Sequence, residues 1–188
     1  MRMQGSTGNH MALQNHFAGP EGQNSLRIVR IATAAMLIGC LFFGAIFAYL
    51  HASGNLLVTK PNPKAAGAEP VADLSPAFPV LGILAVVVSL GGMAFGDLVL
   101  NQRRQANMAL LGIGEGSLDP KPILSNSVAA WLVAGAMREG PLLMALLFAT
   151  ITDGTEQTIC LGAAMAVLAW WFFHLPTRAN FAHTLGLD

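Results

Sequence analysis

Apolar residues along the chain gather into four long runs, at about 31–50, 78–100, 128–151 and 158–174, with polar stretches between them. Crossing the roughly 30 Å hydrocarbon core of a bilayer takes about 20 predominantly apolar residues in a helix. The pattern therefore predicts an all-α fold, a transmembrane bundle of four helices. The first run has no charge, the second none until Asp97, and the fourth is short and ends at His174. The third is broken near its middle by Arg138 and Glu139. Four buried helices of a water-soluble protein are the competing reading, and repeated charge-free runs of this length argue against it.

The connections differ in kind. Residues 1–26 are polar and lack helical periodicity, which predicts a flexible cytoplasmic tail. The four-helix domain then occupies 27–175, and 176–188 is a second tail. Between the first two spans lie Pro61, Pro63, Pro70 and Pro76, the mark of an extended loop. The stretch 101–125 is polar and carries Gly112, Gly114, Gly116, Pro120 and Pro122. Residues 152–157 make a short acidic turn on Asp153 and Gly154. The first apolar run is longer than the core of a signal peptide and lacks a good cleavage site, so it is expected to be retained.

Composition sharpens this picture. The 188 residues are 54% hydrophobic and only 11% charged, whereas a soluble domain carries about 25% charged residues. Ten basic and ten acidic side chains balance, which excludes the basic excess of a nucleic-acid binder. Two cysteines, Cys40 and Cys160, fall in different spans and are expected to be free and buried rather than a disulfide. The balance hides a sidedness. Seven basic residues (Arg2, Arg27, Arg30, Arg103, Arg104, Lys121, Arg178) lie on the side of the termini, against Lys60 and Lys64 opposite. The positive-inside rule then predicts a multi-pass inner-membrane protein with both termini cytoplasmic. Tyr49, Trp131, Trp170 and Trp171 fall near span ends, where aromatic residues mark the interface.

The unusual chemistry is the run Ala136-Met137-Arg138-Glu139-Gly140-Pro141. A charge at mid-span costs about 2.5–3.5 kcal/mol on insertion scales, so both should face protein or water. Adjacent helical residues point about 100° apart, so the two cannot pair face to face as a four-residue spacing would allow. Pro141 cannot donate to the carbonyl of Met137 and Gly140 loosens the backbone, which predicts a helix kink beside the charges. Two roles stay open: an ion- or proton-exchanging Glu139 tuned by Arg138, or a polar contact that locks helices or subunits together. A lone acid without a second acid or His close in sequence favours the second.

Small residues at four-residue spacing predict close helix packing: Gly92 with Gly96, Gly44 beside Cys40 and Ala48, and Gly162 with Ala166. Asp97 reads as an interfacial acid near Arg103 and Arg104, and His174 as an interfacial residue beside Trp170 and Trp171. His10, His16, His51 and His183 show no metal-ligand spacing. No P-loop, zincin, nucleophile-elbow or haem-attachment pattern occurs, so neither enzymatic activity, a metal nor a cofactor is expected. Shifted by 101 residues, the first span matches the third at Ala35, Met36, Gly39, Leu41, Phe47 and Ala48, a weak sign of a duplicated hairpin.

The segment AMREGPLLMALLF at 136–148, followed by one span and Leu-Pro-Thr-Arg at 175–178, resembles four-span membrane proteins of planctomycete-type bacteria with a charged Glu-Gly-Pro element. That resemblance implies a bacterial integral membrane protein and assigns no activity. A more distant likeness is to the proteolipid ring subunit of rotary ATPases, in which a mid-membrane Glu carries the ion, as Glu139 would here. Arg138 and the long Pro-rich loop depart from that family. The expectation is a non-enzymatic structural or accessory protein, with lipid and either a homo-oligomer or membrane-complex subunits as partners. The alternative is a proton- or cation-translocating protein using Glu139.

Overall fold

The computed structural model describes residues 4–53, 75–112, 119–152 and 154–187, and they are almost entirely helical. The helices are α1 (Gln4–Ala18), α2 (Pro20–Ala52), α3 (Phe78–Gly112), α4 (Pro120–Ile151), α5 (Gly154–Phe173) and α6 (Arg178–Leu185). A 3-10 turn at Ser75–Ala77 leads into α3. The four predicted spans fall in α2 to α5, and each of these helices is long and apolar enough to cross a membrane. At 33, 35 and 32 residues, α2, α3 and α4 rise about 50 Å, well beyond a bilayer core.

The excess length corrects the reading of the polar stretches. Residues 4–18 are helical rather than a flexible tail, α3 continues to Gly112, and the C-terminal tail contains α6. Each of these segments supplies only a few apolar residues, too few for a visible period, but those few are buried. Leu13 and Phe17 of α1, Leu111 of α3, and Phe181 and Leu185 of α6 join Leu26, Val29, Ile123, Leu124 and Trp131 in one core. The Pro-rich loop at 54–74 and the glycines at 114 and 116 lie outside the described residues, as does Asp153.

The chain divides into two compact units. Unit 1 comprises 1–36, 94–137 and 172–188, and holds the core just described. Local chemistry sets its corners. Pro20 opens α2, where its missing N–H costs nothing, and Glu21 in the first turn suits the positive end of the helix. At the α1–α2 corner a side chain on Gly22 would run into the backbone of Phe17, so only glycine allows so tight a turn. Asp119 accepts from the backbone of Lys121 at 3.0 Å as Pro120 starts α4. Thr177 caps α6 by accepting from the Asn180 N–H at 3.1 Å, and left-handed Gly186 (φ +77°) closes it. Arg30 ties this segment to α2 by donating from Nε to the Pro176 carbonyl at 3.0 Å.

Unit 2 comprises 37–93 and 138–171. Many of its buried residues are small: Ala85 on α3, Ala145 and Ala149 on α4, and Ala163 and Ala164 on α5, with Cys40 and Cys160, both free. The close helix approach is at Gly82, where an added Cβ would lie 3.7 Å from Ile159 and 4.0 Å from the backbone of Glu156. The α4–α5 turn satisfies its own carbonyls. Thr152 donates to the Phe148 carbonyl at 2.9 Å, Gln157 donates to that of Ala149 at 3.0 Å, and Gly154 adopts φ +57°.

Candidate functional site

Arg138 and Glu139 sit on α4 and have different surroundings. Arg138 is 1% exposed, among the largest fully buried side chains of the protein. Glu139 is half-buried and turns toward α2, its Oε1 3.9 Å from where a Cβ on Gly39 would stand. The absent side chain at Gly39 leaves room for the carboxylate, and Cys40 lies within its electrostatic reach. The two charges thus diverge around the helix as their 100° separation requires. The helix is continuous through Gly140 and Pro141. Gly39 was legible only as part of the weak repeat; nothing in its own neighbourhood of the sequence marks it as the residue opposite an acid.

The glycines predicted to pack helices divide. Gly92 and Gly96 are buried. Around Gly44 and Gly162, however, a Cβ would meet nothing within 4 Å, so neither marks a close helix approach among the described residues. Gly44 instead lines a cavity of about 190 Å³ with Cys40, Leu41, Leu142, Leu146, Ala164, Met165 and Leu168. The walls of that cavity are apolar, and Glu139 is not among them.

Unit 1 holds a larger cleft, about 840 Å³, that the sequence did not reveal. Asp97, Asn101, His174, Asn180 and His183 supply its polar lining, and Leu98, Leu100 and Leu187 its apolar lining. Asp97 and His174, read separately as interfacial residues, are brought to one cleft, and His183 joins them from α6. Among the described residues no group of three or more His, Cys, Asp or Glu is placed to hold a metal ion.

Trp131 and Thr184 also line this cleft, and behind them lies a buried polar network. Asn107, fully buried, donates from Nδ2 to Ser127 Oγ at 3.1 Å and to the Thr184 carbonyl at 2.8 Å. Ser127 donates to the Ile123 carbonyl at 2.8 Å, and Thr184 to that of Asn180 at 3.0 Å. Trp131 Nε1 donates to Thr184 Oγ1 at 3.2 Å. Trp131 is only 5% exposed, so it is a core residue and not the interfacial aromatic its position predicts; Trp170, at 40%, and Tyr49, at 70%, are exposed. The network joins α3, α4 and α6 and holds the cleft's wall rigid. No family model, no curated protein and no solved structure matches the chain, so the reading of these sites rests on their geometry.

Proposed function

We propose that this is a non-enzymatic integral membrane protein, a structural or accessory subunit of a bacterial inner membrane that packs within or against a larger complex. The observation that carries this reading is the 1% exposure of Arg138, a mid-span charge enclosed by its own chain. A buried charge of this kind holds one arrangement of helices, because any alternative packing leaves it without compensation. The outer faces of the helices support a lipid or subunit partner. Only 17% of the most apolar part of α2 is buried within the chain, against 39% for α4. Seven basic residues on the side of the termini support a cytoplasmic location for both.

The second reading, proton or cation translocation through Glu139, is supported by the partial exposure of that carboxylate beside Gly39. Glu139→Gln tests the two against each other. The structural reading expects impaired recovery of the folded protein or of its complex in mild detergent, with unchanged proton flux across proteoliposomes. A fully assembled variant that has lost a flux present in the parent protein would overturn it.

A further inference from the structure

Another opening in unit 1 has a different chemistry from the Asp97 cleft. It is a pocket of about 400 Å³ lined by Phe17, Gln23, Leu26, Arg27, Arg30 and Arg178. None of these six residues is acidic. Gln23, Leu26, Arg27 and Arg30 recur at the three- and four-residue spacing of one helix face, so α2 presents them together. The cap of α6 brings Arg178 to the same opening, its guanidinium carbon 5.8 Å from the centre of the Phe17 ring. Arg30 is oriented by the bond from its Nε to the Pro176 carbonyl. The nearby carboxylate, Glu21, is engaged elsewhere, 2.7 Å from His16 and 3.5 Å from Lys121.

We infer that this pocket is the headgroup site of an anionic glycerophospholipid. Three guanidinium groups around one opening match a phosphodiester, whose oxygens accept their planar N–H forks. The floor made by Phe17 and Leu26 is apolar, as suits the glycerol rather than bulk water. Arg27 and Arg30 stand immediately before the apolar run, and exposed Ile28 and Ile31 begin the face of α2 along which acyl chains would lie. That combination, cation at headgroup level and apolar helix below it, distinguishes a bound lipid from a free anion. The inference rests on the membrane reading above, but it requires neither the larger complex nor a particular role for Glu139.

The test is native mass spectrometry of the delipidated full chain in neutral detergent, titrated with phosphatidylglycerol, phosphatidylcholine or inorganic phosphate. Phosphatidylglycerol is expected to bind more tightly than phosphatidylcholine. Arg27→Gln or Arg178→Gln should each weaken it about fivefold, the worth of one arginine at a lipid surface. Both variants retain the Arg30–Pro176 bond and should melt at the parent temperature. Lys121→Gln, on the same side but outside the pocket, should leave binding unchanged. Equal affinity for the two lipids would overturn the inference, as would equal weakening by Lys121→Gln. Displacement of phosphatidylglycerol by inorganic phosphate alone would assign the pocket to a free anion instead, and loss of folding in both arginine variants would make these side chains structural. Unimpaired lipid binding by a chain that forms no complex would refute only the subunit role.

Discussion

Asn107 is a polar residue in a polar stretch, and nothing in its sequence neighbourhood separates it from Asn101 or Gln105. Its importance comes from Ser127 and Thr184, 20 and 77 residues away, which receive its two amide hydrogens in the core. Asn107→Ala should cost about 1–3 kcal/mol, since it removes both bonds and leaves a buried carbonyl without its donor. Thermal unfolding in detergent measures that loss, and an unchanged midpoint would show that the network adds nothing. Trp131→Phe removes one donor while keeping most of the ring, so a smaller loss, about 1 kcal/mol, is expected in the same assay. Arg138 and Glu139 were legible for the opposite reason: an ionised group stands out in an apolar run because the surroundings make it costly. What the sequence could not supply was their direction. That depended on Gly39, on another helix, leaving space for one of them.

Among the elements, the apolar spans were readable because a bilayer demands length and uniform hydropathy, both local properties. Helices α1 and α6 were not, because each contributes only two buried apolar residues to the shared core and most of the rest of each is polar. The short helix α6 depends on its ends. Gly186→Ala should destabilise it by about 1–2 kcal/mol, because an L side chain resists the left-handed conformation. A new Cβ there would also stand 2.9 Å from Met108 Cγ. Faster amide hydrogen exchange across 178–185 is the measurement. Small residues behave less uniformly than their spacing implied. Gly82→Leu should lower the unfolding midpoint by forcing α3 from α5, whereas Gly44→Ala and Gly162→Ala, which point into open space, should leave it unchanged within error. Destabilisation by Gly162→Ala only in the assembled state would locate a partner on that face of α5.

For the whole molecule, the distribution of charge matters more than its sum. Ten positive and ten negative groups cancel, but seven basic residues lie in the two tails and the second connection, against two in the first and one, Arg138, within an apolar run. A reporter enzyme fused after Asp188 should therefore be active in its cytoplasmic form and silent in its exported form. Adding several arginines to the loop containing Lys60 and Lys64 should produce a population of inverted chains. The division into two units was not legible, because all four long helices contribute to both and no break in composition marks the division.

The burial of the indoles gives the chain a built-in optical report. Trp131 belongs to unit 1 and hydrogen-bonds into its polar network, whereas Trp170 and Trp171 belong to unit 2, one 40% exposed and the other 1%. Replacing the latter pair by phenylalanine leaves a single fluorophore whose emission follows the Asn107–Thr184 core. Replacing Trp131 instead leaves the light to come from the other unit. Recorded side by side during denaturation, the two variants would reveal whether the units melt together or in succession, without any attached label.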